Sequence, residues 1–429
     1  MTKTFKAAVF SSVRGGLGLR ILVYEYVSGG GYAGKPISPN ILSEGFAMLR
    51  ALTLDFKEAG HSVATVLDSR LAAFNPPLVA ECNSVAASFA ETEAAFDSAA
   101  GSVDAAYVVA PESKGILESL VARAERAGAA SLNCNPAAIY NVANKQTVLE
   151  YVRRLGFRVP NSLALNVNDK VEDVARAVGV GLGFPAVFKP TDGVGCSGVS
   201  AVNVRSQVEA AIDRIRKESS SEVFLAQELV QGVPVSVSVY STGKEALPVS
   251  LNKQNVSLKT PEAGSSYDGG EVPYDSLLKL KAFNAAKKFV ESVRGLRGYI
   301  GVDMVLTEEE LVVIEVNPRL TTSYLGLRMV SGFNPAQALV DSVLERKLPV
   351  DCETMGYGCF EKVKTIKPRK TCLPQTYGLE GVFSPPFPVS NDDSAYALVV
   401  SHGNTLQEAS LRLERNKRGL LSSLHGKGE

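Results

Sequence analysis

Between residues 20 and 140 the apolar positions follow two alternating rhythms. RILVYEYV from Arg20, HSVATVLD from His61, AAYVVAP from Ala105 and ASLNC from Ala130 are short apolar runs with the length of buried strands. Between them, SEGFAMLRALTLDFKEAG and ESKGILESLVARAERAG repeat apolar residues at helical spacing and end at a Gly. Strands alternating with helices predict a parallel sheet covered on both faces. Residues 20–140 therefore read as an α/β unit, with residues 1–19 as an extension that precedes the rhythm.

The rhythm changes at NKQTVLEYVRRLGFRVP, a helix ended by Gly156 and Pro160. PAVFKP, GVSAVN, VFLAQELV, PVSVSVYS and KEALPVSL follow as strands separated by turns, then a helix at about 275–294. GYIGVDMVL and LVVIEVN, joined by TEEE, read as a hairpin, and NPAQALVDSVLERK as a helix. Mixed strands with segregated helices predict an α+β unit over 141–345. Past Lys347 the chain is rich in Pro, Gly and Cys before a last strand (YALVVSHG) and helix, so 346–429 read as a small closing α+β unit.

The hairpin carries the first chemistry. With Glu308–Glu310 as its turn, Asp303 lies opposite Glu315, and Asn317 lies two places along on the same face. Val302, Met304, Leu306, Val312, Ile314 and Val316 would then form an apolar stripe on the other. Like charges facing across a ladder repel, and a cation between them removes the penalty. The plain alternative pairs one carboxylate with a nearby Arg and leaves the other in solvent. Asn317-Pro318-Arg319 completing the face favours the cation, and an all-oxygen donor set favours Mg²⁺ or Mn²⁺ over zinc.

Mg²⁺ held by few carboxylates takes its remaining ligands from phosphates. Lys189 ends an apolar strand and is followed directly by TDGVGCSGV, where Gly193, Gly195 and Gly198 let backbone N–H groups approach an anion. The spacing is neither the Walker nor the Rossmann pattern. Lys145 opens the helix of the second unit and is a further cation.

Composition narrows the remaining classes. Lys+Arg and Asp+Glu both total 45 of 429 residues, so no net field draws the chain to nucleic acid or an anionic membrane. No apolar run approaches the ~20 residues that span a bilayer, and the N-terminal stretch has no apolar core of a signal peptide. The six cysteines form no C-x-x-C pair, which with only three histidines argues against a soft-metal site and for reduced thiols in a cytoplasm. No Ser–His–Asp or Cys–His nucleophile set is present.

The order Lys145, Lys189, glycine loop, 227-QELVQG-232, Asp303 and Glu315-x-Asn317-Pro-Arg319 resembles the ATP-grasp superfamily over roughly residues 20–345. The resemblance implies an N-terminal parallel-sheet (pre-ATP-grasp) domain and two halves clamping ATP, with a lid at about 180–230. It implies that Lys145 and Lys189 contact phosphates and that Thr191, Gly193, Gly195, Ser197 and Gly198 belong to a loop closing over them. Gln227, Glu228, Leu229 and Val230 would form the adenine hinge. Asp303, Glu315 and Asn317 would hold a pair of Mg²⁺ or Mn²⁺ ions, and Lys189 and Arg319 would be catalytic, Arg319 neutralising the transferred phosphoryl group. Many members place a Glu for the ribose hydroxyls just after the hinge glycine, whereas this chain has Pro234.

A narrower similarity, carried by 25-EYVSGGG-31, 251-LNKQNVSL-258 and 266-SYDGGEVPY-274, is to the tyramine–L-glutamate ligases of methanofuran biosynthesis. It implies a cytoplasmic enzyme joining an amine, tyramine foremost, to the γ-carboxyl of L-glutamate through an acyl phosphate, and leaves room for a homodimer. Ser28 and Gly29–Gly31 follow the first strand, where an α/β sheet places ligands, so their amides or Lys253 could hold the α-carboxylate and Glu25 the ammonium. A flexible connection suits Gly29, Gly30 and Gly31 equally. Tyr267 and Tyr324 could flank the amine's ring, and either is equally suited to a packed core. Rival readings are a ligase of another amino acid or amine, a phosphotransferase or carboxylase of the same fold, and a nucleotide-binding regulator.

Overall fold

The computed structural model describes residues 18–85, 88–191 and 195–424. Strands β1 (Arg20–Glu25), β2 (Ser62–Asp68), β3 (Glu81–Val85), β4 (Ala105–Val109) and β5 (Ala130–Ser131) form a parallel sheet in the order β3-β2-β1-β4-β5. Leu22 and Tyr24 pack towards Phe96 and Val121 on one face, while Ile21 and Val23 pack towards Phe46 and Leu49 of helix α1 (Pro39–Glu58) on the other. Both faces are covered, which is why the strands read as apolar runs without alternation. The chain leaves β1 in one direction and returns at β4 on its other side, so a crevice opens at the carboxyl ends of these two strands. Glu25 ends β1 there, and Ala110-Pro111-Glu112 follow β4.

Helix α2 (Lys145–Arg154) opens the next unit, capped by Asn144, whose side chain accepts from the Thr147 amide. A four-stranded antiparallel sheet follows, with β6 (Ser162–Asn166), β9 (Val223–Glu228), β7 (Ala186–Pro190) and β8 (Ser200–Val202) in that spatial order. Its own core includes Val178, Phe188, Ile212 and Phe224. The third sheet is antiparallel and eight-stranded. It runs β14 (Leu311–Asn317), β13 (Arg297–Leu306), β10 (Val233–Thr242), β11 (Ala246–Ser257), β12 (Ser266–Val272), β15 (Tyr357–Ile366), β17 (Ser394–Gly403), β16 (Val382–Ser384).

The closing segment 346–429 supplies three strands, β15, β16 and β17, to the large sheet. Strand β15 pairs with β12 at Gly269 and Gly270. A side chain at Gly269 would meet the Phe360 carbonyl at 2.0 Å, so the glycines of SYDGGEV let the two strands approach.

The hairpin register holds where the chemistry lies and shifts beyond it. Gly301, Val302 and Asp303 face Asn317, Val316 and Glu315, but Met304 faces Val313, leaving Ile314 as a bulge. Leu311, Val313 and Val316 therefore complete the apolar stripe with Val302, Met304 and Leu306, replacing the expected Val312 and Ile314. The turn spans Thr307–Glu310, closed by the Thr307 amide donating to the Glu310 carbonyl at 2.9 Å. Among the described residues no helix is long and apolar enough to cross a membrane.

Candidate active site

A cavity of about 360 Å³ opens where the three sheets meet. On its hairpin wall Asp303 faces Glu315 across the ladder. Asp303 Oδ2 accepts from Asn317 Nδ2 at 3.0 Å and Oδ1 from Gln254 Nε2 at 3.2 Å. Burial, then the Glu315 charge, push Asp303 up to about 6, against the hydrogen bond from Asn317. Burial also works to raise Glu315, but Lys145 and Lys189 outweigh it and hold its carboxyl below the ordinary value. Lys145 Nζ lies 3.1 Å from Glu315 Oε1. A lysine in the first turn of a helix opposes the helix dipole, so its placement there reflects the site rather than helix stability.

Lys189 is 6% exposed on β7, and its ammonium has no hydrogen-bond partner. Burial and the neighbouring Lys145 lower it to about 8, against Glu315 and Asp303. A buried cation without a donor's partner is costly unless an anion meets it. This orphaned ammonium beside two facing carboxylates fits a phosphate chain with a divalent cation. Asp303, Glu315 and Asn317 could hold the cation, while Lys145 and Lys189 could hold the phosphate oxygens. Arg319 lies in the same cavity, its Nε 3.0 Å from Glu112 Oε1 and its Nη2 3.2 Å from Oε2. Burial works against its charge, but Glu112 outweighs it and raises the guanidinium further.

Val187, Leu229, Val230, Met304 and Ile314 give another stretch of the lining an apolar surface suited to a flat base. The bulge aids this by turning Ile314 towards the cavity. Gln227 and Glu228 also line it, though their side chains are engaged: Gln227 Nε2 donates to Ser162 Oγ at 2.7 Å, and Glu228 pairs with Arg158 at 2.5 Å. Pro234 stands in the lining with no polar side-chain atom to offer a ribose.

Of the glycine loop, Gly195 and Cys196 line the cavity, and Gly193 lies outside the described residues. Thr191, Ser197 and Gly198 are not in the lining. The Thr191 hydroxyl is engaged by Ser221 Oγ at 2.7 Å and the Val223 carbonyl, and the Gly198 amide donates to Glu218 Oε2 at 2.7 Å.

The expected substrate residues divide. Glu25 and Tyr267 line the cavity. Glu25 already accepts from the Val27 and Ser28 amides and, at 2.5 Å, from the Ser28 hydroxyl. Burial raises its pKa against these donors. Gly29 and Gly31 donate their amides to the Glu25 and Tyr26 carbonyls, so the turn engages two of the three glycine amides expected to face a ligand, while the Gly30 carbonyl accepts from the Thr92 hydroxyl. Lys253 pairs with Glu271 at 3.1 Å away from the lining. Tyr324 is fully buried with its hydroxyl on Asp55 at 2.7 Å, a core residue.

Residues that sequence reasoning missed are Glu44, Glu112, Gln254 and Thr321–Ser323. Two carried a readable signal. Glu44 is a charge within an otherwise apolar stretch of α1, and Glu112 stands just beyond a strand end at the crevice.

Residues 142–323 match the model of the ATP-grasp domain, and residues 61–139 that of the pre ATP-grasp 3 domain. A tyramine--L-glutamate ligase of Methanocaldococcus jannaschii is 29% identical over 319 residues, 72% of this chain and 84% of that protein. One from Methanocaldococcus fervens is 32% identical over 231 residues, 53% of this chain and 62% of that protein, less than two thirds of its length. The crystal structure of an ATP-grasp superfamily protein from Archaeoglobus fulgidus superposes with a TM-score of 0.60 at 20% identity, covering 89% of this chain and 99% of that one. That likeness establishes the fold.

Proposed function

We propose that this chain, which belongs to the ATP-grasp ligases, joins the γ-carboxyl of L-glutamate to an aromatic amine such as tyramine. ATP-grasp ligases use ATP and divalent metal ions. The observation that carries the nucleotide part is the buried, unpartnered Lys189 ammonium beside Asp303 and Glu315. The similarity to tyramine--L-glutamate ligases supports the substrate part.

In this reading a γ-carboxylate oxygen of glutamate bonds to the γ-phosphorus of ATP as ADP leaves. The amine nitrogen then bonds to the acyl carbon, phosphate leaves, and the nitrogen loses a proton. Lys145 and Lys189 hold the phosphate oxygens in line, and Arg319, positioned by Glu112, meets charge developing on the transferred group. Asp303, Glu315 and Asn317 would hold two Mg²⁺ ions, which would supply charge neutralisation on the phosphates. No protein nucleophile is needed.

Mass spectrometry of products from ATP, glutamate and a panel of amines tests the substrates. γ-Glutamyltyramine is the expected product. Aspartate should fail, because its side chain is one methylene short of the transfer position. With hydroxylamine as nucleophile, γ-glutamyl hydroxamate should form in an ATP-dependent reaction. Formation of ADP only with another amino acid would overturn the glutamate assignment and keep the ligase.

The charges also set a pH profile. Below about 6, Asp303 takes up a proton and no longer attracts a cation; above about 8, Lys189 loses the charge that meets a phosphate. The value of kcat/KM for ATP is therefore expected to form a bell with limbs near these values, since this constant reports groups of the free enzyme. Initial rates at low ATP across the range check it. A profile flat through both limbs would contradict the assignment of these two groups.

A further inference from the structure

The carboxylates of the cavity are not equally engaged. Six line it: Glu25, Glu44, Glu112, Glu228, Asp303 and Glu315. Both oxygens of Glu25, Glu112, Glu228 and Asp303 have close partners. Glu315 has Lys145 on Oε1, and the metal reading employs its other oxygen. Glu44 is left. Its Oε1 accepts from Lys362 Nζ at 2.7 Å, while Oε2 has the Thr322 hydroxyl at 3.4 Å, close to the limit of a hydrogen bond.

The pair is built from distant parts of the chain. Glu44 lies on α1 and Lys362 on β15, 318 positions apart, and Thr322 follows the Asn-Pro-Arg segment. Lys362 is 3% exposed along its side chain and is absent from the lining. The ammonium therefore sits behind the carboxylate, and the carboxylate forms the surface. Such an arrangement orients one acceptor into the cavity. Desolvating both ions is costly, and an apolar pair of similar volume is often as stable, so stability alone is a weak reason for this pair. Tyr267 lies beside it in the lining, within the field of the Glu44 charge.

We propose that Glu44 receives the ammonium of the amine substrate, which releases one proton to solvent before its nitrogen lone pair attacks the acyl carbon, with Lys362 fixing the carboxylate and Tyr267 bordering the amine's apolar body. The proposal rests on the ligase reading above. It makes the closing segment of the chain part of amine selection, through Lys362, without contact between that segment and the nucleotide.

The test compares two nucleophiles in the intact enzyme. Tyramine is cationic at neutral pH, whereas hydroxylamine is small and largely uncharged. In Glu44→Gln, KM for tyramine should rise roughly 10–100-fold, the range expected for a lost charged hydrogen bond. The change with hydroxylamine should be several times smaller, as should the change in KM for ATP and glutamate. Glu44→Asp keeps the charge that Lys362 requires and should fold even if the Gln variant does not; its KM for tyramine should lie between those of Glu44→Gln and the unaltered enzyme. An equal loss with both nucleophiles, or an unchanged KM for tyramine in the Asp and Gln variants, would overturn the proposal while the unaltered enzyme still formed the hydroxamate. No hydroxamate from the unaltered enzyme would instead overturn the ligase reading, and this subsite with it.

Discussion

Asp303→Asn is expected to reduce turnover by about 100-fold or more, the scale of losing a charge that holds a catalytic cation, while making the folded protein more stable. The two effects have one origin. Asp303 is pushed up to about 6 by burial and by Glu315. A carboxyl raised above its unfolded value contributes stability that is present below the unfolded pKa and lost as pH rises through the folded pKa. Above about pH 6 the ionised Asp303 is therefore a cost, and Asn, which keeps the shape, removes it. A gain on the order of 1 kcal/mol is expected near pH 8. Glu315→Gln should be equally inactive but less stable, because Lys145 loses its partner and Lys189 a compensating charge. Thermal melts of the two variants without metal, beside ADP release at saturating Mg²⁺, separate this from an ordinary structural ion pair. Near-normal turnover in either variant would remove the metal assignment.

Lys189→Met should show the same trade of activity for stability. Methionine fills a similar volume without the charge, so the phosphate contact disappears and turnover falls by about 100–1,000-fold. Burial holds the Lys189 ammonium down at about 8. A lowered folded pKa contributes stability present above the unfolded pKa and lost as pH falls through the folded value, so near pH 7 the charge is a cost. The variant should melt higher than the parent near pH 7, by an amount worth roughly 1–3 kcal/mol, and the difference should shrink near pH 10. The alkaline limb of kcat/KM should also vanish from any residual activity. A variant that melts lower at both pH values and keeps its turnover would show a packing lysine.

The legible part of the site is the part where charge interrupts apolar pattern. Lys189 at the end of PAVFKP and Asp303 and Glu315 within the hairpin break runs that are otherwise buried, and a buried charge demands a partner. Their relative placement was legible too, because a short turn and a two-residue side-chain period fix which residues face each other. The bulge at Ile314 was not, since both registers put apolar residues into the core. In loop 28–31 the sequence left the backbone's partners open. Glycines signal what the backbone is free to do, and only the turn's geometry shows that the Gly29 and Gly31 amides are already engaged.

The sequence by itself determined the parallel N-terminal sheet, the hairpin and the face on which Asp303, Glu315 and Asn317 stand, because local periodicity and short-range pairing decide these. Tertiary structure alone decided which groups reach the cavity. Tyr267 and Tyr324 are chemically alike, yet one lines it and the other binds Asp55 in the core. Glu44 meets Lys362 only because β15 joins the large sheet through β12 and the strands beyond it, β17 and β16, pack against α1. A contact spanning 318 residues leaves no periodic trace in either segment: it is set by the packing of whole elements, whose relative positions no local propensity encodes.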